Sequence, residues 1–277
     1  MQIKMSILAD NSVGPGPGLL GEHGFSVMLE KRDETILFDT GRGQALVHNA
    51  GRLKKDLQRV DKIVLSHGHS DHTGGIETFL TRGPGLRVYA HPEVFSRRYW
   101  IRGERQVDVS MPFDEETLVR AGIDLHLSRG FAEVSGGVYL TGEVPRKTHF
   151  EKGDRNLFLR KNGRLVSDPV TDDQSLVLET DRGLIVLLGC AHAGMINILE
   201  FVREKFPNKK MLAVIGGTHL GMTDELQFEE TMDALMEFEI DKIGLSYCTG
   251  LEAASRLRCR YGTDVFFAIT GYQAFFP

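Results

Sequence analysis

Cysteine is scarce in this chain of 277 residues, which contains only Cys190, Cys248 and Cys259. Three cysteines cannot all pair within one chain, so the sequence is not a disulfide framework, and a reducing, cytoplasmic setting fits it better. Long apolar runs are also missing. The longest, residues 184–199, falls short of a membrane span and carries His192 in its interior. The first residues hold no apolar stretch of signal-peptide length. We therefore expect a cytoplasmic protein without a membrane partner.

An excess of positive charge is absent as well, since 33 Lys and Arg stand against 38 Asp and Glu, for a formal net charge of −5. A net acidic chain lacks bulk attraction for phosphate backbones, so we expect no nucleic-acid partner. Hydrophobic residues make up 41% of the chain and charged residues 26%, which is typical of a globular protein and argues against disorder. The length allows one large α/β domain or two small ones, and the oligomeric state stays open.

The apolar pattern predicts strands separated by turns early in the chain, and strands alternating with helices later. The predicted strands are residues 4–9, 25–30, 35–38, 62–66, 87–90, 136–141, 174–179, 184–188, 211–215 and 243–246. The predicted helices are residues 44–57, 75–80, 195–205, 227–238 and 251–261. Residues 92–111 carry no clear pattern. Residues 150–170 are polar and predict a loop that can act as a flap over a site. We expect mixed sheets covered by helices in a single domain, residues 1–277.

The strongest motif is a turn rich in histidine that follows the buried strand 62–66. It contains four metal-capable side chains within six residues: His67, His69, Asp71 and His72. Alternate residues of a turn can converge on one cation, and residues that begin the following helix can face the same cavity. Imidazole and carboxylate donors suit zinc first, with iron or manganese as alternatives. A polar surface turn is the competing interpretation. Three of the ten histidines fall in this turn, which favours a site for one or two divalent metals.

The motif His67-x-His69-x-Asp71-His72, preceded by the segment 36–41, resembles the signature of the metallo-β-lactamase superfamily. Six further segments resemble the subgroup named for 7,8-dihydropterin-6-methyl-4-(β-D-ribofuranosyl)aminobenzene-5′-phosphate synthase: residues 8–11, 141–146, 172–174, 189–194, 216–220 and 247–250. The resemblance covers most of the chain. It implies an α/β fold, a four-layer αβ/βα sandwich of two mixed sheets with outer helices.

The resemblance also implies an enzyme with a small, anionic substrate. The first expectation is a metal-dependent hydrolase that acts on a phosphoester or other ester through a metal-activated water. One alternative is a transferase that condenses a dihydropterin diphosphate with a ribofuranosyl-aminobenzene phosphate, as a dihydropteroate synthase joins related groups. The other alternative is a non-catalytic, metal-binding sensor.

Further ligands are expected at later strand ends. His192 is expected to bind the first metal with His67 and His69, although a helix-start histidine bonded to a carbonyl is the alternative. His219 is expected to bind a second metal beside Asp71 and His72, with an indirect supporting role as its alternative.

The chain departs from the superfamily pattern at two positions. Gly189-Cys190 stands where the superfamily has a bridging Asp, so Cys190 is either a small buried hydrophobe or a thiolate that bridges the metals. Tyr247 stands where members of the subgroup carry His, and its hydroxyl could donate to substrate or to a developing oxyanion. Asp71 is expected to orient the attacking water or to shuttle its proton.

Two further aspartates are expected to support the ligands. Asp39 matches the superfamily Asp that holds a ligand histidine by its second ring nitrogen. Asp173 has three open roles: it binds metal, orients His192 or caps a turn.

Substrate-binding candidates follow other strands. Arg146 offers a planar fork for phosphate or carboxylate, with a surface salt bridge as the alternative. Glu143 and Arg146 flank the pair Val144-Pro145. Asn11 could hydrogen-bond either to substrate or to Glu143.

Overall fold

The computed structural model describes residues 2–16 and 18–276. Their strands are β1 (Ile3–Ala9), β2 (Ser26–Lys31), β3 (Glu34–Phe38), β4 (Lys62–Val64), β5 (Arg87–Ala90), β6 (Arg98–Arg102), β7 (Arg105–Asp108), β8 (Asp124–Leu127), β9 (Ala132–Ser135), β10 (Val138–Leu140), β11 (Leu157–Lys161), β12 (Arg164–Ser167), β13 (Leu176–Thr180), β14 (Gly183–Leu188), β15 (Met211–Gly217), β16 (Ile240–Ser246), β17 (Val265–Phe267) and β18 (Gln273–Phe276). The α-helices are α1 (Gln44–Arg52), α2 (Ser70–Thr73), α3 (Glu115–Arg120), α4 (Met195–Lys205), α5 (Glu225–Leu235) and α6 (Leu251–Tyr261). Short 3₁₀ turns join several of these elements.

Two seven-stranded mixed sheets form the inner layers. The first has the strand order β18-β1-β2-β3-β4-β5-β8, and the second has the order β17-β16-β15-β14-β13-β10-β9. Apolar side chains from both sheets meet between them in one cluster, which includes Ile7, Phe38, Ile185 and Leu187. Burial of such side chains is the main source of stability for the sandwich.

Helices cover the outer faces. Leu46 of α1 and Leu118 of α3 pack on the first sheet, in a cluster that contains Ile63 of β4. Ile198 of α4 and Leu257 of α6 pack on the second sheet, in a cluster that also contains α5. The predicted four-layer sandwich is therefore confirmed. Strands β4 and β14 are buried along their whole length, which explains why their residues other than Lys62 are apolar or glycine.

A third, four-stranded sheet lies outside this plan, in the order β12-β11-β6-β7. The prediction of a loop at residues 150–170 is wrong, because β11 and β12 form a hairpin there and β11 pairs with β6. Strand β12 is exposed along its whole length, so its sequence has no alternation of apolar and polar residues from which a strand could be predicted. We call this four-stranded sheet the accessory sheet.

Helix α1 ends five residues earlier than predicted, at Arg52. Lys54 adopts a positive φ of 55°, which a helix cannot continue through, and Asp56 then caps a separate 3₁₀ turn. Within the described residues no helix combines the length and apolar character that crossing a bilayer requires.

Candidate metal centre

Strand ends bring distant parts of the chain to one edge of the sandwich. The histidine-rich turn follows β4, whereas Cys190 and His192 follow β14, His219 follows β15 and Tyr247 follows β16. Strands β14, β15 and β16 run parallel, so their carboxyl ends lie side by side. This is the edge at which α/β sheets place their binding sites.

Three imidazoles converge in a first donor set. The donor atoms of His67, His69 and His192 all lie within 4.8 Å of one another, and all three residues are buried. His69 Nε2 and both ring nitrogens of His192 have no hydrogen-bond partner among the described residues. Buried polar atoms are rarely left unsatisfied, so the set fits a cation that these nitrogens would bind.

The protonation states of these imidazoles suit metal binding. Burial lowers the pKa of His67 and of His192 well below the usual value, and it lowers the pKa of His69 to about 3. The imidazoles are therefore neutral at pH 7, which is the form that binds metals.

Asp39 contacts the histidine-rich turn and the serine that precedes it. Its Oδ2 lies 2.6 Å from His72 Nδ1 and accepts a hydrogen bond of 2.7 Å from the Ser66 hydroxyl. The Ser66 hydroxyl in turn lies 2.9 Å from His67 Nδ1. Burial opposes protonation of His72, but the charges of Asp39 and Asp71 raise its pKa to about 9. These contacts leave His72 Nε2 facing the centre, where it lies 3.6 Å from Asp71 Oδ2.

Asp71 is paired with Tyr247. The Tyr247 hydroxyl donates a hydrogen bond to Asp71 Oδ2 and lies 3.2 Å from His23 Nε2. Burial opposes ionisation of Asp71, but His72 and His69 hold its pKa at about 2. Asp71 is therefore a carboxylate at pH 7, and one of its oxygens accepts a hydrogen bond from the Tyr247 hydroxyl.

Cys190 belongs to both remaining donor sets. One set consists of His67, His72 and Cys190, and the other of Cys190, His192 and His219. The structure thus brings His219 beside His192, with ring centroids 4.4 Å apart, and not into a set with Asp71. Among the described residues, Asp71 forms part of none of the three sets.

Asp173 contacts the turn that carries His192. Its Oδ2 accepts a hydrogen bond of 2.8 Å from the Ala193 backbone N–H, while its Oδ1 has no partner among the described residues. Burial raises the pKa of Asp173 to about 7. Of the three open roles, these contacts agree best with positioning of the His192 turn.

The three residues predicted to bind substrate do not lie together in the structure. The Arg146 guanidinium donates to the backbone oxygen of His192 at 2.6 Å and also to two other backbone carbonyls. Glu143 accepts from Arg129 and lies 2.9 Å from His91 Nε2, so it does not contact Asn11. Neither Arg146 nor Glu143 lines the cavity over the centre, whereas Asn11 does.

That cavity has a volume of about 500 Å³. The accessory sheet supplies one wall, with Trp100, Arg105 and Val107, and Arg42 lies among the other lining residues. Sequence analysis missed this wall, since residues 92–111 showed no pattern.

A buried cluster of charged side chains behind the histidine-rich turn was also not predicted from the sequence. Arg98 of β6 donates two hydrogen bonds to Asp172, of 2.8 and 2.6 Å, and one of 2.8 Å to Asp168. Asp172 also accepts from the Gly68 N–H at 2.8 Å. A Cβ on Gly68 would lie 2.1 Å from the backbone oxygen of Val94, so only glycine fits between His67 and His69. Asp172 belongs to a motif quoted above, but no sequence signal marks Arg98.

The comparisons with known proteins agree with this fold. Residues 20–206 match the model for the metallo-beta-lactamase superfamily, and the chain belongs to that superfamily. It is 30% identical over 272 residues to the 7,8-dihydropterin-6-methyl-4-(beta-D-ribofuranosyl)-aminobenzene-5'-phosphate synthase of Methanocaldococcus jannaschii, covering 95% of this chain and 92% of the relative. The resemblance inferred from the motifs is thus confirmed.

Two further relatives show the range of the superfamily. The crystal structure of a metal-dependent hydrolase of the beta-lactamase superfamily aligns with a TM-score of 0.81 and 28% identity, over 98% of each chain. Ribonuclease Z of Listeria monocytogenes is 27% identical over 251 residues, covering 82% of this chain and 75% of that protein.

Proposed function

We propose that this chain is a metal-dependent hydrolase that acts on a phosphoester or other ester of a small anionic molecule. The observation that carries the proposal is the convergence of His67, His69 and His192 with ring nitrogens that lack partners. Three imidazoles suit zinc first, with iron or manganese as alternatives. A divalent ion held there would lower the pKa of water and polarise a phosphoryl or acyl oxygen.

The chain itself supplies a carboxylate beside the proposed water position. Asp71 is ionised at pH 7, lines the cavity and is fixed by the Tyr247 hydroxyl, so we assign it to accept a hydrogen bond from the attacking water and orient it. His23, which is exposed, contacts the same hydroxyl and completes a chain of contacts from Asp71 to solvent. In this proposal Tyr247 is a positioning residue for Asp71.

The cavity walls support an anionic substrate with an apolar part. Arg42 and Arg105 line the cavity, and Trp100 offers an aromatic face beside Arg105. Because the Arg146 guanidinium is taken up by backbone carbonyls, we assign anion recognition to Arg42 and Arg105 instead. The free thiols support the proposed cytoplasmic setting.

A second candidate is the transferase that condenses a dihydropterin diphosphate with a ribofuranosyl-aminobenzene phosphate. The identity to the synthase of Methanocaldococcus jannaschii along nearly the whole chain favours it. Transfer requires exclusion of water, which the wall of the accessory sheet could provide. Pyrophosphate release that depends on an added arylamine would identify this reaction.

The test begins with protein purified without added ions, whose metals are measured by elemental analysis. A panel of aryl and alkyl phosphoesters and carboxylic esters is then assayed in ¹⁸O-labelled water. We expect ¹⁸O in one product and metal in wild type, and we expect His69→Ala to lose metal and activity together. His126→Ala is the matched control, because His126 is exposed on β8. Stoichiometric metal retained by His69→Ala, or metal without turnover on the panel, would contradict the proposal.

A further inference from the structure

Cys190 lies at the point where the imidazoles of the two sheets meet. It follows β14, is 3% exposed, and its Sγ lies 3.1 Å from His72 Nε2. Its donor atom is within 4.8 Å of those of His67 and His72 on one side, and of His192 and His219 on the other. The thiol is thus the one donor common to these two sets.

One further observation points to a metal beside this sulfur, and a second shows how its position is fixed. His192 is 5% exposed, and neither of its ring nitrogens has a hydrogen-bond partner among the described residues. Gly189 packs so closely on Ser66 that an added Cβ would lie 2.2 Å from the hydroxyl oxygen. The end of β14 is therefore held against the residues that orient His67 and His72, which fixes the position of Cys190.

We propose that Cys190 supplies a thiolate ligand to the metal centre, between His72 on one side and His192 with His219 on the other. The inference rests on the metal binding of the proposed function. Bond lengths of about 2.1 Å for Zn–N and 2.3 Å for Zn–S place two tetrahedral ligands roughly 3.3–3.8 Å apart. Here Cys190 Sγ lies 3.1 Å from His72 Nε2, and the other donor pairs of the two sets lie within 4.8 Å. The thiol proton leaves to solvent when the metal binds. A thiolate is a soft donor, so it favours zinc or iron over manganese or magnesium.

The other two thiols do not occupy this position. Cys248 Sγ accepts the backbone N–H of His219 at 3.3 Å and belongs to none of the three donor sets among the described residues. Cys259 lies on α6 and is exposed. The chain therefore contains a neighbouring and a distant cysteine for comparison.

The test uses the full chain, stripped with a chelator and titrated with Co²⁺, which gives a near-ultraviolet absorption band when it binds a thiolate. We expect the band in wild type, in Cys248→Ser and in Cys259→Ser, but not in Cys190→Ser. Circular dichroism checks that Cys190→Ser is folded, and elemental analysis checks that it still binds cobalt, as we expect from the remaining imidazoles. Stoichiometric cobalt without the band in wild type, or loss of the band in Cys248→Ser alone, would overturn the inference.

A second measurement needs no variant of Cys190. X-ray absorption of zinc-loaded wild type should contain a sulfur scatterer at about 2.3 Å, and Cys248→Ser should retain it. A shell of nitrogen and oxygen alone would overturn the assignment while leaving the proposed hydrolase intact. Absence of any bound zinc or cobalt in wild type would overturn both proposals.

Discussion

Asp39 acts on two histidines of the centre at once. It holds His72 directly, and it holds His67 through the Ser66 hydroxyl. A carboxylate behind a ligand imidazole fixes the orientation of the ring and increases its basicity. Asp39 also has a positive φ of 55°, which residues other than glycine adopt rarely, so its position depends on these contacts.

Asp39→Asn should weaken metal binding by about 10- to 100-fold, because the amide replaces a charged acceptor behind His72 with a neutral group. The affinity is measured by competition with a chromophoric chelator. Asp124→Asn is the control, since Asp124 forms an exposed pair with His126 at 2.9 Å. Equal affinities for wild type and Asp39→Asn would show that Asp39 does not support metal binding through either histidine.

At the scale of elements, Arg98 connects the accessory sheet to the histidine-rich turn, because its partner Asp172 also accepts the Gly68 N–H. Both partner carboxylates, Asp168 and Asp172, are buried with it. Burial raises the pKa of Asp172 despite the neighbouring guanidinium. Loss of the cation would leave these carboxylates without a counter-charge inside the protein.

Arg98→Met should therefore destabilise the fold by about 3–5 kcal/mol, because it removes the charge and five-donor geometry but keeps similar volume. Urea unfolding provides the measurement. Arg120→Met is the control, because Arg120 forms only an exposed pair with Glu116 and should cost less than about 0.5 kcal/mol. A similar cost for both variants would mean that the cluster does not hold the sheet.

A buried lysine forms an ion pair within the first large sheet and a hydrogen bond to the second. Lys62 of β4 lies 2.6 Å from Glu34 and donates to the backbone oxygen of Val134 in β9 at 2.7 Å. Burial opposes ionisation of Glu34, but the hydrogen bond and charge of Lys62 lower its pKa below the usual 4.5. A carboxyl with a lowered folded-state pKa stabilises the fold above its unfolded pKa, and this stability is lost as the pH falls through the folded value.

Glu34→Gln should thus cost about 0.5–1 kcal/mol at pH 7, a value limited by the partial exposure of the carboxylate. The difference from wild type should shrink progressively below pH 4.5. Urea unfolding across this pH range, with a chelator present so that metal loss does not contribute, provides the measurement. A difference that stays constant down to pH 3 would contradict the ionic origin of the effect.

Sequence patterns predicted those elements whose burial is complete or periodic. The bounds of α4 and α6 match the prediction, because one face of each helix is apolar. The accessory sheet could not be predicted, since β6 pairs with β11, a strand more than fifty residues later in the chain. At the site, the spacing of His67 and His69 along the chain was enough to predict that the two side chains lie together. The contacts of Cys190 and Arg98 could not be predicted, because they form only when separate strands meet.

On the scale of the whole molecule, we propose that the chain folds as one domain. The apolar cluster between the sheets draws on both halves of the sequence, as does the first donor set. A metal that binds such a set stabilises the folded chain and not the unfolded one.

Zinc at 100 times its dissociation constant should add about 2.7 kcal/mol to the stability. For a chain of this size that corresponds to a rise of about 4–5 °C in Tm, in a single transition. Calorimetry of chelated and zinc-loaded protein gives the comparison, with His69→Ala as the variant that should show no rise. Two separate transitions, only one of them shifted by zinc, would argue against a single domain.

The three histidines of the first donor set lie far apart in the sequence, so they are synthesised at different times. His192 follows His69 by more than 120 residues, so a ribosome needs roughly 6–25 s to extend the polypeptide from one to the other. Until then only two of the three imidazoles, those of His67 and His69, are available to bind an ion. High-affinity loading therefore waits until translation has passed β14, and a nascent chain stalled before that strand should not retain its metal.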